Sequence, residues 1–275
     1  MGYKVVAHNT STASSNKIHD DDVARSFGFR GGLVPGVDVY AYLCHLPAER
    51  WGRTWLGEGT MTARFVSPVY DGDEVEVTGV EDGDALDLTL RGPAGEVCAT
   101  ARAAVGGDRT AAPDPHRWPS GPPPAEPPAA SPEAFASAPF GSVAAAFSTE
   151  ASGPYLDDIR EDLPLFREDG SAHPGWLLRF ANYILMANVR LGPWIHVEST
   201  TQHFGVVEPG DEVETRALVA GVSERSGHRF VDLDVVQVVG VRPITRTAHR
   251  SIYQPRGAPT EVAPATAAPG AGDRV

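Results

Sequence analysis

The segment that decides the fold begins with Asn16-Lys17-Ile18-His19 and ends with Gly28-Phe29-Arg30-Gly31-Gly32-Leu33-Val34-Pro35-Gly36. An acidic, helix-forming stretch separates the two parts, and an apolar run that starts at Val37 follows them. A proline before a helix and a small residue in its first turn are typical of a helix start. The segment therefore predicts a loop histidine, a glycine-rich turn and a buried helix in close succession.

Each half of the chain predicts one long helix followed by strands. The helices are expected at 37–46 and 176–189. The strands are rich in β-formers or alternate apolar with polar residues, and we expect them at 61–69, 73–80, 86–90, 97–105, 196–204, 212–222, 228–239 and 246–253. One helix followed by several antiparallel strands is an α+β pattern in which the sheet wraps the helix.

The two halves also repeat each other at a nearly constant offset. The correspondences pair Val34-Pro35-Gly36 with His173-Pro174-Gly175, Trp55 with Trp194, Phe65 with Phe204, and Gly72-Asp73-Glu74-Val75-Glu76 with Gly210-Asp211-Glu212-Val213-Glu214. Because they occur in the same order, a tandem duplication of one module is the simplest explanation.

Composition sets the boundaries of the two modules. We expect the first module at 1–105, a linker at 106–138, the second module at 139–255 and a disordered tail at 256–275. The linker is rich in proline and alanine and includes Pro122-Pro123-Pro124, so it is predicted to be extended and without a core of its own. The tail is rich in alanine, proline and glycine.

The composition excludes several classes of function. A net charge of −13 over 275 residues argues against nucleic acid and anionic membranes as partners, because both require a clustered positive surface.

Cys44 and Cys98 lie in apolar stretches and are expected to be buried free thiols. No signal peptide or membrane-spanning run is recognisable, so a cytoplasmic protein is expected. Metal, phosphate-loop, dinucleotide and Gly-x-Ser-x-Gly signatures are missing from the sequence.

The loop around His19 resembles the Asp-x-Asn-Pro-(Leu/Ile/Val)-His motif of MaoC-like (R)-specific enoyl-thioester hydratases. Asn16, Ile18 and His19 match that motif, whereas Ser14 stands at the aspartate and Lys17 at the proline. The resemblance implies a double hotdog, in which each module is an antiparallel sheet wrapped around a central helix. It also implies that the second module is a degenerate copy, because no Asn-x-x-His motif precedes its helix.

The resemblance also assigns roles to residues. His19 would be the general base or acid, Gly36 would bind the thioester oxygen through its N–H group, and Asn16 and Ser14 would shape the loop. Asp38, early in the central helix, is one candidate for the missing carboxylate. The predicted substrate contacts are Arg30, Pro35, Val37, His173 and His196, with Arg25 as a further cation near the motif.

The predicted function is hydration of an enoyl thioester, or dehydration of a 3-hydroxyacyl thioester, carried by coenzyme A or an acyl carrier protein. No separate cofactor is expected, since coenzyme A or phosphopantetheine is part of the substrate, and a homodimer is one possible assembly. The alternatives are a hotdog thioesterase, a non-catalytic acyl-thioester-binding subunit, and a repurposed lyase or cyclase of specialised metabolism.

Overall fold

The structure, a computed structural model, describes residues 1–12, 14–106 and 109–258. The strands are β1 Gly2–Val6, β2 Thr60–Phe65, β3 Glu74–Asp82, β4 Ala85–Arg91, β5 Val97–Ala104, β6 Val143–Ala146, β7 Ile195–His203, β8 Glu212–Arg225, β9 His228–Val239 and β10 Arg242–Gln254. The α-helices are α1 Asp21–Ser26, α2 Gly36–Glu58, α3 Pro132–Ser137, α4 Thr149–Asp158, α5 Pro164–Arg167 and α6 Pro174–Asn188.

All strands join one antiparallel 10-stranded sheet in the order β1-β3-β4-β5-β2-β7-β10-β9-β8-β6. Each half of this order belongs to one half of the chain, and the halves meet where β2 pairs with β7. At that seam Thr62 lies opposite Thr200, and their hydroxyls are 3.1 Å apart. Pairing two modules edge to edge satisfies backbone groups that would otherwise be exposed. This is the expected arrangement of two hotdog modules within one chain.

The central helix of the first module, α2, is longer than the sequence predicts, because it continues to Glu58. Its residues from Val37 to Ala48 are buried on every side, as expected for a helix enclosed by a sheet and a second helix. Gly52 then breaks the helical geometry with a φ of 54°, a conformation that glycine adopts at little cost. The matching helix α6 packs directly against α2.

The repeat is visible in the hydrogen bonds of the two Gly-Asp turns. In the first turn, Asp73 Oδ2 accepts from the N–H of Tyr70 at 3.2 Å. In the second, Asp211 Oδ2 accepts from the N–H of Glu208 at 3.0 Å. The duplication predicted from the sequence is therefore confirmed at this turn. The pairing of Trp55 with Trp194 is wrong, because Trp55 lies within α2 whereas Trp194 lies in the loop before β7.

The sequence did not predict strands β1 and β6, which lie at the two outer edges of the sheet. They have only five and four residues, so their alternation of more and less exposed positions is too short to stand out in the sequence. Each pairs with the strand that follows the Gly-Asp turn, β1 with β3 and β6 with β8. Each module therefore starts with an edge strand before its loop and helix.

The predicted linker between the modules carries aromatic residues that pack on the second module. Trp118 is 2% exposed, packs on Val236 and Val238 of β9, and donates its indole N–H to the carbonyl of Asp234 at 2.9 Å. Phe135, on α3, is also buried. Isolated aromatic residues thus fasten the linker to the second module. Of the predicted tail, residues 259–275 lie outside the described part of the chain.

Cys44 and Cys98 are both buried and free, as predicted. Within the described ranges, no helix combines the length and the apolar character needed to cross a membrane.

Candidate functional site

The motif loop forms a one-turn 3-10 helix at Lys17–His19, which orients the imidazole of His19. His19 Nδ1 lies 2.7 Å from the carbonyl oxygen of Leu33. Because a carbonyl oxygen only accepts, Nδ1 carries the proton in this bond and Nε2 keeps its lone pair. The amide nitrogen of Asn16 lies 3.3 Å from Nε2. His19 is thus held as a neutral imidazole whose basic nitrogen is Nε2.

The surroundings of His19 favour the neutral form. Burial lowers the pKa of His19, while the hydrogen bond to the Leu33 carbonyl and the negative charge of Asp38 oppose this shift. Desolvation is the largest of these effects because a charged imidazolium loses its hydration in the loop. An unprotonated histidine at neutral pH is the form that can accept a proton from water.

Asn16 connects this loop to the second module. Its side-chain oxygen accepts from the N–H of Trp194 at 3.2 Å, and its amide nitrogen donates to the carbonyl of Trp194 at 3.0 Å. Asn16 is itself buried, so both groups would be costly to leave unpaired. The loop of the first module is therefore fixed to the segment that leads into β7.

The glycine-rich turn explains the position of the helix start. A Cβ on Gly32 would overlap the carbonyl of His19, so only glycine allows this close approach. The N–H of Gly32 donates to Asp21 at 2.8 Å, and the N–H of Leu33 donates to the carbonyl of Ile18 at 3.3 Å. These contacts bind the turn to the motif loop before α2 begins.

Helix α2 starts at Gly36, and its N-cap residue, Pro35, provides no side-chain hydrogen bond. The first N–H groups of a helix have no partner within the helix and carry partial positive charge. A Cβ at Gly36 would lie 3.0 Å from His196 Nδ1 and 3.2 Å from the His196 carbonyl oxygen. A Cβ at this position would be in tighter than ordinary contact with β7, so glycine suits the close approach of β7 to the helix end.

A buried chain of hydrogen bonds extends from His196 into the sheet. His196 Nε2 lies 2.8 Å from Ser199 Oγ, which lies 3.0 Å from His249 Nδ1. Ser251 Oγ is 3.3 Å from His249 Nε2. The two imidazole rings stack with their centroids 4.2 Å apart. Burial lowers the pKa of His196 well below its ordinary value, helped by neighbouring His249, and burial lowers the pKa of His249 to about 3.

A cavity of about 280 Å³ joins these groups. Its polar lining comes from both modules and includes Asn16, His19, Gly36, Asn182 and His196. The Oδ1 atom of Asn182 and the Nδ1 atom of His196 are buried and have no hydrogen-bond partner among the described residues. The described residues that line the cavity include no aspartate or glutamate. The cavity therefore combines apolar walls with neutral hydrogen-bonding groups and one helix N-terminus.

The predicted replacement for the motif aspartate is located elsewhere. Asp38 is fully buried and bonded to Arg179 at 2.8 Å and to the hydroxyl of Thr10 at 2.6 Å. It is not among the residues that line the cavity. Ser14 also lies outside the lining, and its hydroxyl accepts from the N–H of Asn16 at 3.1 Å. The structure thus places Asp38 in an ion pair between α2 and α6 and Ser14 in the framework of the loop.

The predicted substrate contacts divide into two groups. Pro35 and His196 line the cavity. Arg30 is exposed, pairs with Asp73 at 2.5 Å and covers the ring of Tyr70, so it is held away from the cavity. Val37 is 3% exposed and belongs to the core instead of the cavity lining.

His173 is also separate from the cavity, because it belongs to a buried polar cluster at the start of α6. Glu161 lies 3.0 Å from His45 Nδ1 and 3.6 Å from His173 Nε2. His173 Nδ1 accepts from the N–H of Gly175 at 3.0 Å and so caps the helix. Its substrate-contact prediction is therefore corrected to a capping and packing role.

Sequence reasoning missed Asn182, Ser199 and His249. Each is a polar residue inside an otherwise apolar or alternating element, which is a signal for a buried polar contact. The signal does not identify the partner, because Ser199 and His249 meet only when β7 pairs with β10, and Asn182 reaches the cavity from α6.

No family model matches the chain. No curated protein matches its sequence. Solved structures, however, share its fold. A conserved hypothetical protein of Mycobacterium tuberculosis with a double hotdog fold has a TM-score of 0.55 and 15% identity, covering 92% of this chain and 95% of its own. A MaoC-like dehydratase has a TM-score of 0.57 and 13% identity, covering 92% and 98%.

An N-terminal dehydratase from the difficidin assembly line has a TM-score of 0.50 and 14% identity, covering 94% of each chain. At these identities the similarity concerns the fold. The chain has the double hotdog fold, which it shares with MaoC-like dehydratases over nearly its whole described length.

Proposed function

We propose that the protein is an acyl-thioester hydratase or dehydratase whose single active site belongs to the first module. The observation that carries the proposal is the fixed tautomer of His19, which keeps a basic Nε2 in the same cavity as the start of α2. A base that activates water and a donor that stabilises the thioester oxygen are the two requirements of enoyl hydration.

In the hydration direction, His19 Nε2 takes a proton from water as the water oxygen bonds to the β-carbon. The electrons of the carbon–carbon double bond move toward the thioester oxygen, which the N–H group of Gly36 stabilises. His19 then returns the proton to the α-carbon. The net change is the addition of one water molecule, and the reverse sequence dehydrates a 3-hydroxyacyl group.

Two observations weigh against a thioesterase. The carboxylate expected to direct water at the carbonyl, Asp38, is paired with Arg179 inside the core. The described lining of the cavity also supplies no other carboxylate. The small volume, about 280 Å³, lies near the lower limit of ligand pockets and favours a short acyl chain.

The test is hydration of crotonyl-CoA by the wild type and by His19→Gln. The variant should lose about 10²–10⁴-fold in kcat, the usual contribution of a positioned acid–base group. His8→Gln is a matched control, since His8 lies in the same N-terminal segment but bonds Asp71 at the surface. Equal rates for wild type and His19→Gln would refute the role of His19. Release of free thiol without hydrated product would instead identify a thioesterase.

A further inference from the structure

We propose that His196, supplied by the second module, is a catalytic residue that donates a hydrogen bond to the thioester oxygen together with the N–H group of Gly36. This inference rests on the proposed function and adds a second donor from a different part of the chain.

The position of His196 Nδ1 is the first support. This atom lies 3.0 Å from the point that a Cβ on Gly36 would occupy, directly beside the helix N-terminus. It is buried in the lining of the cavity and has no hydrogen-bond partner among the described residues. Unpaired buried polar atoms are uncommon in folded proteins and call for an explanation. An oxygen bound between Nδ1 and the N–H group at the start of α2 would give each of these two donors a hydrogen-bond acceptor.

The hydrogen-bond chain behind His196 is the second support. One consistent arrangement runs from the hydroxyl of Ser251 to His249 Nε2, from His249 Nδ1–H to Ser199 Oγ, and from the Ser199 hydroxyl to His196 Nε2. In this arrangement His196 Nε2 accepts, so its Nδ1 carries the proton beside the start of α2. The distances fit the reverse chain equally well, so the proposal assigns this direction, in which Ser199 and His249 are positioning residues that hold the donor tautomer.

Charge is the third consideration. The N-terminus of α2 and the surrounding burial both disfavour a charged imidazolium. Burial indeed lowers the pKa of His196 well below its ordinary value. A neutral imidazole still donates through one nitrogen, and it does so without placing a full charge in the core. His196 keeps its proton throughout the reaction, whereas His19 accepts the proton of water and later returns it.

The experiment compares three variants in crotonyl-CoA hydration. His196→Ala removes the donor. His196→Asn restores one, because the asparagine amide nitrogen is as many bonds from Cα as Nδ1 is. Ser199→Ala breaks the positioning chain. The matched control is Thr201→Val, which removes another buried cross-strand hydroxyl contact between β7 and β10, at 3.0 Å from Thr247. Thr201 does not line the cavity.

We expect His196→Ala to lower kcat by about 100-fold with little change in KM, as loss of one oxyanion donor does. His196→Asn should recover part of that loss. Ser199→Ala should lower kcat in the same direction, and Thr201→Val should leave it unchanged. Infrared spectra of bound crotonyl-CoA labelled with ¹³C at the carbonyl should show a C=O stretch shifted to lower frequency in wild type and less shifted in His196→Ala.

The outcomes separate this inference from the function itself. Turnover that needs His19 but is unchanged in His196→Ala would overturn the role of His196 and leave the proposed function standing. A carbonyl frequency that is identical in wild type and His196→Ala would overturn it as well. If the wild type neither binds nor hydrates crotonyl-CoA, both the function and the inference are overturned.

Discussion

The ion pair between Asp38 and Arg179 joins the central helices of the two modules and offers the sharpest test of how they are held together. Its atoms are 2.8 Å apart, and the side chains are 0% and 11% exposed. At that separation, with an effective dielectric constant of about 20, the attraction is about 6 kcal/mol before desolvation is subtracted. Removing one partner leaves the other charge buried, which costs about 3–5 kcal/mol.

We therefore expect Asp38→Leu and Arg179→Met each to lower the free energy of unfolding by about 3–5 kcal/mol. The double variant should cost clearly less than the sum of the two, because it leaves no uncompensated charge. Urea unfolding monitored by tryptophan fluorescence measures all three values. Strictly additive costs would refute the view that the pair is a coupled unit.

The variant Asp38→Asn removes the negative charge of this pair and tests its effect on the pKa of His19. The charge of Asp38 raises the pKa of His19, so its removal should move the acid limb of the hydration profile to lower pH. The rate on the plateau should stay near that of the wild type, because Asp38 does not line the cavity. A plateau that collapses in folded protein would instead make Asp38 part of the chemistry.

Three further predictions concern pH and packing. Because burial lowers the pKa of His19, hydration by the wild type should be constant above its ordinary pKa and fall only as the pH drops below it, measured as kcat/KM against pH. Burial lowers the pKa of His203 to about 4, so its share of stability is complete above about pH 6.5 and is lost as the pH falls toward 4. At pH 5 that loss of stability is about 2 kcal/mol. Urea unfolding at pH 7.5 and at pH 5 measures it, and His203→Phe should remove this contribution. If the stability difference between the two pH values is the same in His203→Phe as in the wild type, the assignment to His203 is wrong. Trp118→Ala should cost about 3–5 kcal/mol and expose the linker to proteolysis, whereas a linker independent of the second module would show neither effect.

Local patterns were sufficient to predict most of the fold. The alternating residues of β3 and the β-rich run of β9 report their own burial, so their positions follow from the sequence. The edge strand β1 carries too few residues for such a pattern. The extension of α2 beyond Leu46 depends on tertiary packing around Trp55, which local propensity does not encode.

The site was predictable only where its residues are adjacent in sequence. His19, Asn16 and Gly36 belong to one segment of about twenty residues, and all line the cavity. The contact between His196 and Gly36 depends on the pairing of β7 with β2, which brings distant segments together. The sequence suggested Asp38 as a catalytic carboxylate because it lies near the start of α2. In the folded chain it is paired with Arg179 of α6, a partner that no local pattern reveals.

The seam between β2 and β7 has an evolutionary consequence. In a dimer of identical chains, every mutation in one copy is repeated in the other, so both pockets must tolerate it. Here the two partners are covalently joined and can diverge separately. Glu161, His45 and His173 fill the start of α6 with a polar cluster, while His196 from the same module lies beside α2. A fused pair can thus give up one pocket and use the released sequence to modify the other.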